Sequence, residues 1–297
     1  HDRLLDAEHL APFNTLILPN IAALSSKQCE QLKEYVNRGG SLVATFETSL
    51  YDEWGVRRSD FGLAELFGAS FDGRLEGPMM NSYLTFERDP ASGAFHPLLK
   101  GLEDATRIIN GVNRVIVRPG EGNMPSVLTV VPSYPDLPME EVFPRAVASK
   151  DPGVFLREIG RGRVVYFPCD IDRTFWEVLD ADHSRLLRNA VLWAARGQLP
   201  LTVRGPGVLD VSVWQQRNSM TVHLVNLTNP MMMKGPVREI VPVTRQTVRI
   251  EVPAGKRVGD VRFLVSHEKA DHRNVNGLIE VDVPSIALHE VIALEFG

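Results

Sequence analysis

The strongest pattern of apolar and polar positions runs from Thr15 to Trp54. Leu16-Ile17-Leu18 is a short apolar run closed by Pro19-Asn20, after which Cys29, Leu32 and Val36 recur at helical spacing. Ser25 and Ser26 are candidate N-caps for that helix. Gln28 stands where a capping-box partner of Ser25 belongs, and Gly39-Gly40 supplies the stop. Leu42-Val43-Ala44-Thr45-Phe46 then resumes with little polar interruption, as a strand covered on both faces does. Two such strands joined by one helix form a βαβ unit, whose crossover is nearly always right-handed. Ligands of open α/β sheets bind outside the carboxyl ends of the strands. The stretch Glu47-Thr48-Ser49-Leu50-Tyr51-Asp52-Glu53-Trp54 is therefore the place where recognition or chemistry is expected.

The rest of the chain continues this rhythm and then abandons it. Before the βαβ unit, Leu4, Leu5, Ala7 and Leu10 predict one or two helical turns. After it, Leu63, Leu66 and Phe67 predict a short helix ended by Gly68, and Ser82–Phe86 a strand. His96–Leu102 reads as a loop with one helical turn, Gly111–Val117 as an edge strand, and Ser126–Val131 as a further strand. From Pro132 to Pro144 four prolines forbid regular structure, leaving a stiff loop with aromatic and acidic side chains. Val154–Glu158 and Arg163–Pro168 flank Gly160-Arg161-Gly162 as a hairpin, which runs into a loop from Cys169 to Trp176. Asp182 or Ser184 is expected to cap a helix bearing Leu186, Leu187, Ala190, Val191 and Ala194, with Gly197 as its stop.

Beyond the linker Leu199-Pro200-Leu201 helical periodicity is gone. Val208–Val213, Met220–Asn226, Val248–Val252, Val261–Val265, Leu278–Val283 and Val291–Phe296 are strand-like, which predicts an antiparallel β-sandwich. Met231-Met232-Met233 is expected in a loop tucked over its edge. The expected division is an α/β domain over 1–199 and a β-sandwich over 200–297.

Composition narrows the partners. A chain of 297 residues favours two domains, and its 44% apolar and 23% charged content is that of an ordinary soluble protein. A net charge of -5 with scattered basic residues offers no broad basic face for nucleic acid and no polybasic membrane anchor. No run approaches the ~20 apolar residues that span a bilayer. Cys29 and Cys169 make neither a disulfide framework nor a metal site, so no metal and no cofactor is expected. The compartment stays open, with the cytoplasm favoured. The first residue is His1, no signal-peptide pattern follows, and the chain reads as a piece of a longer polypeptide.

Candidate chemistry gathers in two loops at predicted strand ends. The first offers Glu47, Asp52 and Glu53 with Tyr51 and Trp54, the second Asp170 and Asp172 with Arg173, Phe175 and Trp176. Carboxylates beside aromatic rings suit sugar chemistry: one acid protonates a leaving oxygen, its partner attacks or activates water, and rings stack on the pyranose. The same acids serve equally as solvated or salt-bridged loop residues. Nucleophilic catalysis has less support. No Gly-x-Ser-x-Gly elbow follows a strand; Thr45-Phe46-Glu47-Thr48-Ser49 stands in its place, and Ser49 has no identifiable base. His183 reads as a base without a nucleophile, or as a capping or surface residue. His223, His267, His272 and His289 lack metal-ligand spacing.

Leu16-Ile-Leu-Pro-Asn, the helix after it, Gly39-Gly40-Ser41-Leu42-Val43-Ala44-Thr45 and the loop to Asp52-Glu53 resemble the middle domain of family 42 β-galactosidases. That module is the β-galactosidase trimerisation domain, similar to class I glutamine amidotransferases. Gly160-Arg-Gly-Arg-Val-Val-Tyr-Phe-Pro, Asp170-Ile-Asp-Arg and the helix to Trp193-Ala194 resemble its closing segment in related glycosidases. The resemblance covers residues 10 to 197 and implies a flavodoxin-like, amidotransferase-like sheet with helices on both faces, followed by the β-sandwich. It implies an accessory, non-catalytic role in a glycoside hydrolase whose acids belong to an N-terminal TIM barrel of the same polypeptide. It also implies assembly into a homo-oligomer, a trimer in family 42, with loops approaching a carbohydrate. The amidotransferase cysteine is absent. On this reading Glu47, Tyr51, Asp52, Glu53, Trp54, Asp170, Asp172, Arg173 and Trp176 are candidate ligand contacts and none is catalytic. The alternatives are a self-contained hydrolase using Glu47 with Asp170 or Asp172, and a sugar-binding module.

Overall fold

The computed structural model describes residues 5–135, 138, 140, 141, 143, 146, 148–197, 199–229 and 236–297. Met231-Met232-Met233 lie outside the described residues, as do Asp136, Leu137, Met139, Val142 and Pro144 of the proline-rich stretch. The chain divides into two compact units, His1–Gln198 and Leu199–Gly297.

The first unit opens with α1 (Ala7–Leu10), β1 (Thr15–Leu18), α2 (Ser26–Asn37) and β2 (Ser41–Thr45). Ser25 is the N-cap of α2, and the capping box closes in both directions, Gln28 N–H to Ser25 Oγ at 3.1 Å and Ser25 N–H to Gln28 Oε1 at 2.8 Å. A long excursion follows: α3 (Ala64–Phe67), β3 (Ala69–Glu76), β4 (Tyr83–Phe86), β5 (Arg107–Ile109), β6 (Arg114–Pro119) and β7 (Leu128–Val131). These strands form two small antiparallel sheets, β3-β6 and β5-β4-β7. The chain then returns through β8 (Phe155–Ile159), β9 (Gly162–Phe167), α4 (Ile171–Val178) and α5 (Ala181–Ala194).

The central sheet has the order β1-β2-β9-β8, with β1, β2 and β9 parallel and β8 antiparallel to β9. Its alternation explains the solid apolar runs. Leu42, Ala44, Val164 and Tyr166 enter one core with Cys29, Leu32 and Val36 of α2. Val43, Val165 and Phe167 enter the other with Leu186, Ala190 and Trp193 of α5. Helices thus cover both faces, and β2 is buried at every position. The edge strand β1 is only half covered, with Ile17 54% exposed.

Several local expectations are corrected. Asp170–Trp176 is not a loop, because Ile171–Val178 forms α4. Asp180, rather than Asp182 or Ser184, caps α5, accepting from the Asp182 and His183 N–H groups at 2.9 Å. Gly197 does act as a stop: at φ +73° its N–H reaches back to the Leu192 carbonyl at 2.8 Å. The strand expected over Gly111–Val117 starts at Arg114, and β3 and β5 had no expectation at all.

The second unit holds β10 (Leu201–Arg204), β11 (Leu209–Gln215), β12 (Ser219–Asn226), β13 (Val243–Glu251), β14 (Val258–Phe263), β15 (His272–Val275), β16 (Leu278–Ile286) and β17 (His289–Phe296). They form two antiparallel sheets, β10-β13-β16-β15 and β11-β12-β17-β14. Val248, Ile250, Val281 and Val283 from one meet Val222, Leu224, Ile292 and Leu294 from the other in a single core. The segment taken for a linker contributes β10.

Candidate functional site

Because β2 and β9 are parallel neighbours, with Thr45 opposite Phe167, the two predicted loops leave one edge of the sheet side by side. The Phe46 N–H donates to the Phe167 carbonyl and the Tyr166 hydroxyl to the Phe46 carbonyl, both at 2.7 Å. Phe46 sits at φ +50°, a left-handed kink directly after a strand, which is the backbone setting of a nucleophile elbow. Its side chain is a phenyl ring packed on the core, with no nucleophilic atom. Ser49, also left-handed at φ +66°, is buried, and its Oγ accepts from the Leu63 N–H at 3.1 Å. That hydroxyl organises the start of α3.

In the first loop Tyr51 donates its hydroxyl to Glu47 Oε1 at 2.9 Å. Burial, reinforced by this bond, raises the Tyr51 phenol above its ordinary range, so it remains a donor. The loop is stitched to the segment before α2 by Tyr51 N–H to the Ala22 carbonyl at 3.0 Å and Leu24 N–H to the Tyr51 carbonyl at 3.1 Å. Asp52 Oδ1 accepts from the Trp54 and Val56 N–H groups, each at 2.9 Å. This turn holds the Trp54 indole out in solvent, 84% exposed. Glu53 borders a depression of about 590 Å³ with Ile21, Ala23, Ser25, Lys27 and Gln31.

In the second segment Asp170 faces inward. It is 1% exposed, and its carboxylate accepts from the Asn113 N–H and the Asn113 side-chain amide, both at 2.8 Å. Thr174 Oγ1 lies 3.4 Å away, and Gly111 passes so close that a Cβ there would stand 2.5 Å from Asp170 Oδ1. The carboxylate pins the chain before β6 to the end of β9; the expectation that it faces a ligand is corrected. The hydrolase alternative loses one of its three candidate acids with it and is left with Glu47 and Asp172. Asp172 is half-buried, and its Oδ1 is enclosed without a partner among the described residues. Arg173 lies exposed, 3.0 Å from Glu177 and 3.9 Å from Asp170. Trp176 on α4 is 58% exposed.

From that edge the first segment carries the tied pair Glu47–Tyr51 with exposed Glu53 and Trp54, and the second carries exposed Arg173 and Trp176 with the half-enclosed Asp172. Asp52 and Asp170 shape their own segments. Sequence reasoning missed Asn113, and also Asn20, whose Oδ1 accepts from the Glu47 N–H at 3.3 Å. Only the left-handed tendency of asparagine, realised at Asn20 with φ +46°, could have flagged the latter. His183 is neither a surface residue nor a poised base: it is fully buried with Nε2 2.8 Å from the Ile109 carbonyl. His223 and His289 stack, Nδ1 to Nε2 at 3.3 Å. Among the described residues no group of three or more His, Cys, Asp or Glu side chains is placed to hold a metal ion. No described helix is long and apolar enough to cross a membrane.

No protein-family profile and no curated protein matches the sequence. Solved structures do match, several glycoside hydrolases among them. α-L-Fucosidase isoenzyme 2 from Paenibacillus thiaminolyticus superposes with a TM-score of 0.68 at 15% identity, over 97% of this chain and 41% of that one. A β-galactosidase from Bacillus circulans sp. alkalophilus gives 0.59 at 12% identity, over 96% and 33%. A catalytic mutant of a GH42 β-galactosidase from G. stearothermophilus gives 0.53 at 15%, over 95% and 32%. At these identities the likeness is one of fold. The chain spans from about a third to two fifths of the length of these glycosidases.

Proposed function

We propose that this chain is an accessory, non-catalytic module of a glycoside hydrolase of β-galactosidase or fucosidase type. Its first unit is a class I glutamine amidotransferase-like, flavodoxin-type domain of the trimerisation kind. A TIM-barrel domain of the same polypeptide supplies the bond-breaking acids, and the carboxyl edge of the β1-β2-β9 sheet borders the sugar. Assembly into a homo-oligomer and a cytoplasmic setting belong to the same proposal. The observation that carries it is that the match to a fucosidase of known structure extends over 97% of this chain.

The chemistry at the edge supports an accessory role. Trp54 and Trp176 offer ring faces for a pyranose, while Asp170 is sealed and the elbow position holds Phe46. The test compares nitrophenyl galactoside and fucoside hydrolysis by this chain alone and by the polypeptide that carries it with its barrel. Turnover is expected only from the latter. W54A and W176A in that longer protein are expected to raise KM several-fold with little change in kcat. Hydrolysis by the isolated chain would overturn the proposal.

A further inference from the structure

A second feature of the first unit lies at the opposite, amino ends of the sheet strands. There a cleft of about 470 Å³ is lined by Arg38, Arg161, Arg196, Ser41, and the rings of Phe13 and Tyr35. Among the described residues no carboxylate lines it, and three arginines do. Two of them have local explanations. Arg38 caps the carboxyl end of α2 and reaches Glu34 at 3.3 Å; Arg196 follows α5 and donates to the Arg161 carbonyl at 2.7 Å.

Arg161 has none. It stands at the tip of the β8–β9 hairpin, and its guanidinium makes no hydrogen bond or ion pair among the described residues. It leans over Gly39, where a Cβ would come 3.3 Å from the Arg161 Cβ. Gly39 itself needs the freedom of glycine at φ +106°. Opposite the guanidiniums, the Tyr35 hydroxyl donates to the Phe13 carbonyl at 3.0 Å, and burial pushes its pKa up to about 12. That side of the cleft is aromatic and stays uncharged.

We propose that the cleft binds a compact organic oxyanion, a sugar-sized body carrying a phosphate or carboxylate, with Arg161 as the principal anion contact. Planar guanidiniums recognise such groups through paired N–H donors, and the volume lies within the range of small-molecule sites. The site is independent of the carbohydrate edge described above.

Calorimetry of the intact chain with glucose 6-phosphate, glucuronate, inorganic phosphate and glucose decides it. Glucose 6-phosphate or glucuronate is expected to bind, inorganic phosphate more weakly, and glucose not at all. R161A, with its side chain exposed at a hairpin tip, is expected to keep its circular dichroism and melting temperature and to weaken binding about tenfold or more. R204A, in the other unit, is expected to bind as the unaltered protein does. Three results would each refute the site: no heat from either organic anion at about 10 mM, glucose binding as well as glucose 6-phosphate, or affinity unchanged in R161A.

Discussion

Replacing Asp170 with alanine separates a structural carboxylate from one that meets a ligand. In the native fold its oxygens take the Asn113 backbone N–H and side-chain amide at 2.8 Å, in surroundings that leave 1% of the residue exposed. D170A leaves both donors without a partner and without water. A stranded buried donor costs about 1–3 kcal/mol, so the pair costs about 3–5 kcal/mol once some relaxation is allowed. For a unit of this size each kcal/mol lowers Tm by about 2–4 °C, giving a fall of about 6–20 °C. Tryptophan fluorescence reads the loss directly, because Trp54, Trp176 and Trp193 belong to the first unit and Trp214 to the second. D170N keeps the shape and one acceptor oxygen, and the Asn113 amide can turn to meet it, so its cost falls to about 1–2 kcal/mol. A D170A protein that melts within about 2 °C of the unaltered chain would refute this account. Asp170 would then be free to meet a ligand after all.

Three further outcomes follow from the packing. Burial first, and the Arg163 charge second, hold the His96 imidazole below its ordinary pKa of 6.5, and His96 Nδ1 accepts from the Leu98 N–H at 3.2 Å. The unfolded chain therefore binds the proton first, and stability is expected to fall as pH drops below about 6.5; thermal melts of H96N, which keeps an acceptor without titrating, should lose that slope. G162A places a Cβ 2.4 Å from the Gly40 carbonyl and 2.8 Å from the Val36 carbonyl, and urea titration is expected to show a loss of about 3 kcal/mol. G160A meets nothing within 4 Å but is strained at φ +57°, so its loss should be nearer about 1 kcal/mol. The Cys169 thiol, fully enclosed and pushed by burial to about 12, is expected to resist iodoacetamide at neutral pH until the unit unfolds, and mass spectrometry of the alkylated peptide checks this.

The legible parts of the fold were those written in local chemistry. Ser25 and Gln28 predict the start of α2 because the capping box needs only a four-residue window, and Leu42–Thr45 announces burial on both faces by its uninterrupted run. The helix α4 was illegible for a matching reason. Its Ile171, Thr174, Phe175 and Trp176 are β-branched or aromatic, and its N-cap residue Asp170 makes no side-chain capping bond to mark the start. Asp180 was passed over as the α5 cap because Asp182 offers an equal signal nearby. The choice is settled by Leu179 at φ +54°, which ends α4 immediately before it. At the candidate site, the βαβ pattern indicated that the Glu47 loop leaves the carboxyl end of β2, as it does. The fate of Asp170 was hidden because Asn113, its partner, lies 57 residues away.

The distribution of committed and uncommitted groups along that edge is the physical reason for reading it as recognition rather than reaction. Glu47 is tied to Tyr51, Asp52 to its own turn and Asp170 to Asn113. Of these, Asp170 is the one enclosed away from any substrate, since both its oxygens meet Asn113 and 1% of the residue is exposed. What remains is two exposed indole faces, the solvated Glu53, Arg173 paired with Glu177, and the half-buried Asp172. Groups of that kind contribute modest, additive contacts of about 1 kcal/mol each when exposed. On the function proposed above, such contacts would orient a sugar held mainly by another surface, being too weak to bind one alone. An isolated chain that bound a galactoside or fucoside at micromolar concentration, about 8 kcal/mol, would exceed anything these side chains supply, and would require a complete site inside the chain.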